Sequence, residues 1–317
     1  MLATLADQPF DDTGWIYEIK WDGYRVISLL NKGNVQLLSR NNKSFNEQFY
    51  PIVKTLQKYD LSAVLDGEVA VLNEKGVANF GALQNWRNES NGELAYFLFD
   101  IAWLTGYDLT QLPLTRRREI LRGIMPQEEN IRFSENFDTS PNEFLEAVSK
   151  LGMEGIMAKK ADSHYFPGQR TKDWLKIKAN KRHEVVIGGF TQNVGSPKLF
   201  SSLLVGVFDN DQLHYTGKIG TGFNDKMQRE ILGDLKKLAT NKSPFAEIPD
   251  VEKPSRFRPQ PPKTKTTWIK PKLVCEVSYI ELTSDGLMRH PSFEGMRTDK
   301  NAKDVVREKV RKLPNNR

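Results

Sequence analysis

The sequence predicts a two-domain α+β protein. The chain has 317 residues, enough for two domains that each have a hydrophobic core. Strand-like and helix-like segments alternate in the first half, whereas the last part has about five short strands and one helix, which suits a small barrel such as an OB-fold. A basic, polar segment at 180–183 separates the two patterns. We therefore expect a first domain at 1–181 and a second domain at 182–317.

The elements follow from the spacing of apolar residues, which alternate in strands and recur every three or four positions in helices. Ser140, with Pro141 after it and Glu143 at the third position, is typical of a helix start with a capping box. The predicted strands are 15–21, 24–30, 35–38, 64–72, 96–103, 155–160, 174–179, 184–190, 202–208, 213–219, 268–269 and 273–282. The predicted helices are 46–59, 80–86, 140–151 and 224–238.

The composition excludes several classes of protein. Apolar residues make up 38% of the chain and aromatic residues 10%, which is typical of a soluble globular protein. Cys275 is the only cysteine, so an internal disulfide and a cysteine-based zinc cluster are excluded. No apolar stretch approaches the length of a membrane span, and no secretion signal is recognisable at the N-terminus. We therefore expect a cytoplasmic protein with no membrane partner.

The basic residues are unevenly distributed. The formal net charge is +6 and the isoelectric point about 9.1, a mild excess that alone identifies no partner. The stretch 253–272, however, contains seven basic residues separated by proline, polar and aromatic residues and one isoleucine. It is either a solvated loop or a surface that contacts a phosphate backbone. The basic residues are Lys253, Arg256, Arg258, Lys263, Lys265, Lys270 and Lys272.

One short segment points to covalent chemistry. Residues 18–25 read EIKWDGYR, so Lys20 lies on a predicted strand just before a carboxylate, a glycine turn and Arg25. A lysine is a poor nucleophile while it is protonated, and its use in catalysis requires groups that free the amine and hold an electrophile in line. Lys-x-Asp-Gly-x-Arg is the pattern with which nucleotidyltransferases form a lysine–nucleotide phosphoramide. Taken alone, a match of this length also arises by chance.

Strand parity sorts the polar side chains near this lysine. Successive side chains of a strand point to opposite faces. Glu18 and Lys20 are therefore opposite the apolar residues of their strand, and the same applies to Asp66 and Glu68 and to the pair Lys176 and Lys178. Three strands present charge on one face, as expected for a cleft. An ordinary half-exposed sheet would show the same pattern.

The order of further motifs resembles that of the ATP-dependent DNA ligases. The C-terminal half is similar, in particular, to the ligase domain of the bacterial end-joining ligases of the LigD type, and the resemblance covers essentially residues 1–302. The segments that carry it are KWDGYR (20–25), SR (39–40), DGE (66–68), YFLFD (96–100), EGIMAK (154–159), WLKIK (174–178), GKIGTGF (217–223), TSDGLMRHPSF (283–293) and RTDK (297–300).

The resemblance implies a nucleotidyltransferase adenylation domain, ATP-grasp-like and built on antiparallel sheets, followed by an OB-fold β-barrel. It also implies a role for each matching residue. Lys20 is the adenylated nucleophile, and Lys176 and Lys178 are catalytic residues that neutralise the α-phosphate. The residues implied in binding ATP are Glu18 and Phe99 at the adenine, Glu68 at the ribose, Arg25 and Arg40 at ribose or DNA phosphate, Arg170 at a phosphate, and Arg297, Asp299 and Lys300 in the terminal motif that orients pyrophosphate. Glu68 and Glu154 are the implied ligands of Mg²⁺ or Mn²⁺, and we assign Trp21 and Trp174 to packing.

Protonation of the nucleophile is a cost that the site must meet. With a reference pKa of about 10.4, freeing the amine of Lys20 at pH 7 costs roughly 4–5 kcal/mol. We expect the cations Lys176 and Lys178 to lower the pKa of Lys20 by disfavouring its ammonium form.

The resemblance implies an ATP-dependent DNA ligase that seals 3′-OH/5′-phosphate nicks in bacterial double-strand-break repair by end joining. The implied partners are nicked or broken double-stranded DNA, the Ku end-binding protein and fused polymerase or phosphoesterase modules, and we expect a nucleoid-associated monomer. An RNA ligase, a GTP-using capping enzyme and a catalytically silent nucleic-acid-binding module are the alternatives. One departure concerns the strand before Trp268, where Lys265, Thr266 and Thr267 replace the usual Arg-Gly-Ala and put the local DNA contacts in doubt.

Overall fold

The structure is a computed structural model that describes residues 1–88, 92–125, 128–179, 181–252, 263–283 and 285–307. The chain divides into two compact units, Met1–Asn180 and Lys181–Arg307. Within the described residues, no helix is long and apolar enough to cross a bilayer.

The first unit contains ten strands and four helices among its described residues. The strands are β1 (Leu2–Leu5), β2 (Trp15–Lys20), β3 (Tyr24–Asn31), β4 (Asn34–Ser39), β5 (Ser62–Leu72), β6 (Glu93–Leu104), β7 (Tyr107–Asp108), β8 (Ile131–Phe133), β9 (Gly155–Lys160) and β10 (Arg170–Lys178). The helices are α1 (Tyr50–Leu56), α2 (Phe80–Gln84), α3 (Leu114–Ile124) and α4 (Pro141–Lys150).

These strands form two sheets. The smaller sheet has the order β1-β10-β9-β2, in which β1 is parallel to β10 and the other pairs are antiparallel. The larger sheet has the order β4-β3-β5-β6-β7, with β8 added in parallel to β6. β2 lies at the edge of the smaller sheet and β3 inside the larger one, so the short connection between them joins the two sheets.

Each sheet has its own hydrophobic core. The larger sheet packs Val26, Leu65 and Tyr96 against α1, α2 and α3, with Phe49 and Trp86 fully buried among them. Burial of this kind stabilises a fold by about 25 cal/mol per Å² of apolar surface. The smaller sheet packs Tyr17, Leu175 and Ile177 against α4, through Phe144 and Val148.

The second unit is mostly strand. Its described strands are β11 (Arg182–Asn193), β12 (Ser202–Asp209), β13 (Gln212–Ile219), β14 (Ala239–Thr240), β15 (Thr264–Ser278), β16 (Glu281–Leu282), β17 (Met288–Arg289) and β18 (Ser292–Met296), with helix α5 (Asp225–Lys237) and a short 3₁₀ helix (Ala302–Asp304). The main sheet has the order β13-β12-β11-β15-β14, with β18 also paired to β15, and β16 pairs with β17. Helix α5 begins at Asn224, whose side chain accepts a hydrogen bond from the backbone of Met227 at 2.8 Å.

The capping box predicted at Ser140, before α4, is wrong. The helix starts at Pro141 as expected, but the Ser140 side chain makes no capping hydrogen bond to a described residue. The helix predicted at 46–59 is also shorter, since only Tyr50–Leu56 is α-helical.

The strand predicted at 268–269 and most of the strand predicted at 273–282 form the single strand β15, and residues 281–282 form β16. On β11, the neighbour of β15, Gly189 pairs with Trp268 and Ile187 pairs with Leu273, so residues 269–272 form a bulge opposite Gly188. Pro271 lies in this bulge, where no ladder hydrogen bond from its nitrogen is required. The segment Lys270-Pro271-Lys272 therefore lies within a strand and does not end one. Elements that the sequence patterns did not indicate include β1, α3, β8 and β18.

Gly23 allows the start of β3 to lie close against β5 in the larger sheet. It precedes β3, and a Cβ atom at this position would lie 2.1 Å from the carbonyl oxygen of Val69 on β5. Tyr24, the next residue, pairs with the same Val69. Because real Cβ atoms do not come this close to backbone oxygen, a side chain at position 23 would push β3 away from β5.

We predict that Gly23→Ala destabilises the first unit by about 3 kcal/mol or more, because the clash is with backbone that cannot move aside cheaply. Gly123→Ala is the matched control. Gly123 lies in α3 with open space where a methyl group would be, so alanine should stabilise the helix by about 0.5–1 kcal/mol. Urea denaturation followed by circular dichroism measures both changes, and equal effects of the two substitutions would contradict the prediction.

Candidate active site

Lys20 is the last residue of β2, an edge strand of the smaller sheet. It pairs with Gly155 of β9, and its side chain is 19% exposed. Its Nζ atom donates a hydrogen bond to the Glu154 carboxylate, which is 7% exposed. The lysine is therefore held next to a buried carboxylate while still being open to a ligand.

A cavity of about 110 Å³ opens beside Lys20. Strands of both sheets of the first unit contribute to its wall, which combines aromatic, cationic and acidic side chains. The residues around it are Ala3, Glu18, Ile19, Lys20, Trp21, Arg25, Glu68, Phe99, Met157, Lys159 and Trp174. Residues singled out in the sequence thus meet around one small cavity, among them Glu18, Lys20, Arg25, Glu68, Phe99 and Trp174.

Aromatic rings and a buried ammonium form one side of this cavity. The rings of Phe99 and Trp174 meet edge to face with 5.8 Å between centroids. The Lys159 ammonium lies 4.1 Å from the Phe99 centroid and 4.4 Å from that of Trp174, in the range of cation–π contacts. The Nε1 atom of Trp174 is buried and makes no hydrogen bond to any residue that the structure describes. Trp174 belongs to a hydrophobic cluster with Phe99, which agrees with its assignment to packing.

The Glu18 carboxylate is buried and fully engaged with neighbouring donors. Arg118 donates to its Oε1 at 2.7 Å, while Lys159 and the Ser134 hydroxyl donate to its Oε2 at 2.9 and 3.1 Å. Glu18 is only 1% exposed. Burial lowers the pKa of Lys159, although the Glu18 carboxylate opposes this shift. The Glu18 carboxylate therefore binds side chains of the protein itself.

The electrostatic environment of Lys20 differs from our expectation. Burial by itself lowers the pKa of Lys20, but the hydrogen-bonded Glu154 carboxylate, together with Glu68 and Asp22, raises the pKa above its ordinary value. The expectation that Lys176 and Lys178 lower the pKa of Lys20 is wrong in direction, because the carboxylate in direct contact has the larger effect. Lys20 therefore carries an ammonium group at neutral pH.

Lys176 and Lys178 lie on β10, which pairs with β9. Glu154 directly precedes β9. Both lysines are half-buried, whereas Leu175 and Ile177 are buried in the core, so the predicted division of this strand into two faces is confirmed. Burial raises the pKa of Glu154, but Lys20, Lys178 and Lys176 together hold it below its ordinary value. The site is thus a cluster of three cations around one buried carboxylate.

Trp21 does not pack with the other apolar residues of the strand predicted at 15–21. Trp15, Tyr17 and Ile19 lie in the core of the smaller sheet as expected. Trp21 follows the end of β2 and instead stacks on Phe97 of the larger sheet, with ring centroids 3.5 Å apart. It still serves packing, but it packs on the other sheet.

Arg25 is bound to Asp66 across two strands. Its Nε donates to Asp66 Oδ1 at 2.9 Å, and its terminal nitrogens donate to Asp66 Oδ2 and to the carbonyl oxygen of Met1. Tyr165 donates a further hydrogen bond to Asp66 at 2.7 Å. Burial would raise the pKa of Asp66, but the guanidinium of Arg25 holds it below its ordinary value. Arg25 presents one edge to the cavity and the other to this buried carboxylate.

Two predicted arginines are not part of the cavity wall formed by the described residues. Arg40 is exposed at the end of β4. Arg170 is exposed at the start of β10 and donates a hydrogen bond to the carbonyl oxygen of Ala3. Both remain accessible to a larger ligand.

In the second unit, the terminal motif forms an ion-pair cluster. Arg297 is buried and donates two hydrogen bonds of 2.9 Å to Asp299. Carboxylate oxygens of Glu184 and Glu276 lie 3.6 and 3.7 Å from its guanidinium nitrogens. Lys300 Nζ lies 3.1 Å from Glu184 Oε1. The two cations assigned to pyrophosphate are thus in contact with carboxylates of their own unit.

The basic stretch 253–272 is only partly within the described residues. Lys253, Arg256 and Arg258 lie outside them. The remaining basic residues are all exposed, on or next to β15: Lys263, Lys265, Lys270 and Lys272.

Sequence reasoning missed Arg118, Ser134 and Lys159. Lys159 shares a strand face with Met157 on β9, so parity would have placed it on the cavity side. Arg118 belongs to α3, whose sequence LTRRREILRGI has too few apolar residues to suggest a buried face. Its neighbour Arg117 is fully buried too, in a bidentate pair with Asp100 at 2.7 and 2.9 Å. Two arginines of the basic run are therefore buried beside the leucines of this helix.

The donor set suits both a nucleotide and a divalent cation. The aromatic cavity ends in cations that match phosphate charge, and the indole N–H of Trp174 is a donor there that no described residue uses. Among the described residues, no group of three or more acidic, histidine or cysteine side chains is arranged to hold a metal. Magnesium that keeps its waters and binds phosphate oxygens needs only one or two carboxylates, and Glu68 and Glu154 are carboxylates near Lys20.

The chain matches two family descriptions along most of its length. Residues 1–178 match the ATP dependent DNA ligase domain, and residues 196–300 match the ATP dependent DNA ligase C terminal region. The chain therefore belongs to the ATP-dependent DNA ligase family. The resemblance noted in the sequence motifs is confirmed.

Its relatives include the multifunctional non-homologous end joining protein LigD of Pseudomonas aeruginosa, which is 36% identical over 315 residues, covering 97% of this chain and 36% of that protein. The protein of the same name from Mycolicibacterium smegmatis is 38% identical over 312 residues, covering 96% of this chain and 39% of that protein. The chain thus spans little more than a third of the length of these relatives.

Among solved structures, the mycobacterial DNA ligase D complexed with ATP and MES matches with a TM-score of 0.64 and 32% identity, covering 97% of this chain and 98% of that chain. The predicted fold class is confirmed: a nucleotidyltransferase domain built on antiparallel sheets is followed by an OB-fold domain.

We predict that the contribution of Glu154 to stability disappears in acid. Its pKa in the folded state is below the value of about 4.3 in an unfolded chain, so the stabilisation is present above that pH and is lost as the pH falls through the folded-state pKa. Glu154→Gln should lower the free energy of unfolding by about 1–3 kcal/mol at pH 7. Urea denaturation from pH 7 to pH 3 should show this difference shrinking.

The control for this prediction is Glu146→Gln, which removes an exposed carboxylate paired with Lys150 on α4. Its effect on stability should be small throughout the pH range because the pair is screened by water. A difference between wild type and Glu154→Gln that is constant from pH 7 to pH 3 would refute the assignment.

Proposed function

We propose that this chain is a ligase module that seals nicks between a 3′-hydroxyl and a 5′-phosphate in double-stranded DNA, using ATP and a covalent lysine–AMP intermediate on Lys20. The observation that carries the proposal is the position of Lys20 beside the cavity, in contact with Glu154 and close to Lys176 and Lys178. A nucleophile, a proton acceptor and phosphate-binding cations are the groups that nucleotidyl transfer needs.

In the first step, the amine of Lys20 attacks the α-phosphorus of ATP. A nitrogen–phosphorus bond forms, the bond to the bridging oxygen breaks, and pyrophosphate leaves with the bonding electron pair. The amine must lose a proton before attack, and the Glu154 carboxylate already accepts its hydrogen bond. Lys176 and Lys178 neutralise the charge that accumulates on the α-phosphate.

In the second and third steps the AMP moves on to DNA. An oxygen of the 5′-phosphate attacks the phosphorus of lysine–AMP, which forms a pyrophosphate bond and releases the amine of Lys20. The 3′-hydroxyl then attacks the 5′-phosphate, which forms the phosphodiester and releases AMP. Proximity and electrostatic stabilisation supply the acceleration in both steps.

The remaining site residues are proposed to hold the nucleotide. Phe99 stacks on adenine with Glu18 nearby, Glu68 binds the ribose, and Arg25 binds ribose or DNA phosphate. Their common cavity supports these roles. Arg40 and Arg170 are proposed to bind phosphate from outside the cavity, and their exposure supports this. Arg297 and Lys300, with Asp299, are proposed to orient pyrophosphate, which requires the second domain to close over the first.

A divalent cation is proposed to take part in the reaction. Glu68 and Glu154 would hold Mg²⁺ or Mn²⁺, which supplies positive charge to the phosphates and disfavours the ammonium form of Lys20.

The biological setting is part of the same proposal. We infer that the adenylation domain comprises residues 1–181 and the OB-fold domain residues 182–317. The relatives' printed names support a role in bacterial end joining on broken DNA. Ku and polymerase or phosphoesterase modules are the proposed protein partners, and the proposed location is the nucleoid region of the cytoplasm, as a monomer.

We predict that incubation with α-labelled ATP and Mg²⁺ labels the wild-type chain, and that nicked DNA then removes the label. Lys20→Ala should take up no label. Lys20→Arg should fail as well, because arginine keeps its proton. Lys160→Arg, at an exposed position on β9, is the matched control and should be labelled normally.

The same assay separates the alternatives. Label from GTP would identify a capping-type enzyme, and transfer to nicked RNA alone would identify an RNA ligase. No label at all would identify a silent binding module, and label that persists in Lys20→Ala would remove the central claim.

We further predict that binding to nicked DNA weakens as salt rises, because basic residues release counterions from the phosphate backbone. Replacing Lys265, Lys270 and Lys272 together with glutamine should reduce the slope of log K against log salt concentration by about 2–3. The matched control replaces three exposed lysines of α5, Lys226, Lys236 and Lys237. Salt-insensitive binding, or an equal change of slope in the two variants, would contradict a phosphate-contact role for this segment.

A further inference from the structure

The edge strand that carries Lys20 is held on its free side by an irregular segment. β2 pairs with β9 on one side. On the other side, the backbone N–H of Phe137 donates to the carbonyl oxygen of Tyr17 at 2.9 Å, and Asn136 forms an isolated bridge with Glu18. The segment 134–137 therefore takes the place of a missing neighbouring strand. What fixes this segment also fixes the strand of the nucleophile.

Arg118 joins this segment to both sheets. Its guanidinium donates to Glu18 Oε1 on β2 at 2.7 Å, to the carbonyl oxygen of Ser134 at 2.8 Å, and to the carbonyl oxygen of Phe99 on β6 at 3.3 Å. The side chain is 6% exposed and lies over the ring of Phe133, 4.5 Å from its centroid. The planar guanidinium group of Arg118 thus links β2, β6 and the segment 134–137.

The Ser134 hydroxyl extends the link to the other side of Lys20. It donates to Glu18 Oε2 at 3.1 Å and accepts a hydrogen bond from Trp21 Nε1 at 3.3 Å. A hydroxyl group has one donor and two acceptor positions, so both bonds can exist together. Glu18 precedes Lys20 by two residues and Trp21 follows it directly. The nucleophile is therefore flanked by two side chains that meet at Ser134, which Arg118 holds.

We propose that Arg118 is a positioning residue for the Lys20 nucleophile, acting through Glu18 and through Ser134 and Trp21. The proposal rests on the function proposed above and adds a residue to it. Arg118 contacts neither Lys20 nor the lysine's partner Glu154 in any described contact. Its effect is on where the amine lies relative to the α-phosphorus, and not on how the nucleotide is bound.

Arginine is the residue type that this role needs. Its guanidinium stays charged at any pH at which the protein is folded, and its donors point in fixed directions. A lysine at this position would keep the charge beside Glu18 but could not donate in three set directions at once. Arg118→Lys therefore removes the alignment while leaving the Glu18 carboxylate paired.

The test compares two reactions that use the same site with and without attack by Lys20. The first is formation of lysine–AMP in a single turnover at saturating ATP. The second is sealing of a nick whose 5′-phosphate already carries AMP, which does not require the lysine to attack. Arg118→Lys should slow the first by about 10–100-fold, as expected for a misplaced nucleophile, and leave the second within about 3-fold of wild type. The KM for ATP should change by less than about 3-fold, because Glu18 keeps its hydrogen bonds from Lys159 and Ser134 and Phe99 keeps its contact with Trp174.

Arg117→Lys is the matched control. Arg117 is the preceding residue of α3, fully buried and paired with Asp100 instead of a residue of β2. Any loss of activity from a loosened helix should appear equally in both reactions of this variant. Ser134→Ala is a milder second variant that keeps Arg118, and it should slow lysine–AMP formation alone, by about 3–10-fold.

The outcomes are distinct. If wild type forms no lysine–AMP, the proposed function fails. If wild type forms it, but Arg118→Lys slows both reactions by the same factor or slows neither, then Arg118 does not position Lys20.

Discussion

The connection from β2 to β3 is the constraint on which the site depends. Three residues lead from Lys20 into the larger sheet, and each is held in place by a different contact. Trp21 stacks on Phe97, Asp22 is buried, and Gly23 lies against the backbone of Val69, where no side chain fits. This short path sets the separation of the two sheets, and the cavity lies between them. The position of Lys20 and the width of the cavity are therefore determined together.

The charged side chains of the first unit form two groups, one around Lys20 and one deeper in the unit. Around Lys20, the carboxylate of Glu154 is buried and the cations Lys176 and Lys178 are half-buried, so a ligand bound at Lys20 can change the balance of these charges. Deeper pairs, such as Asp100 with Arg117, are sealed from water and satisfied by several hydrogen bonds. Buried pairs of this kind add little net stability, but removing one partner is costly because the other is left uncompensated. These deeper pairs hold the shape of the unit, whereas the outer group lies around the Lys20 side chain.

Much of this site could be read from the sequence, since strand parity depends only on local geometry. The alternation along β10 correctly separated Lys176 and Lys178 from Leu175 and Ile177. Parity cannot say what lies across the cavity, however, and the sign of the pKa shift at Lys20 depends on its contact with Glu154, 134 residues away. Helix α3 was missed for a related reason. Its buried residues include two arginines, whose burial depends on partners outside the helix, Asp100 and Glu18.

The parallel pairing of β1 with β10 has a consequence for how the chain folds during synthesis. The sheet that carries Lys20 is assembled from residues 2–20 and 155–178, with nearly the whole of the larger sheet between them in sequence. Closing such a long loop is slow, because its entropy must be lost before the contacts form. On the ribosome, β1 and β2 must wait until residue 178 has left the exit tunnel, about ten seconds or more after they emerge at ordinary rates of synthesis. Lys20 therefore reaches its place only after residues 155–178, which lie far later in the chain, have been made.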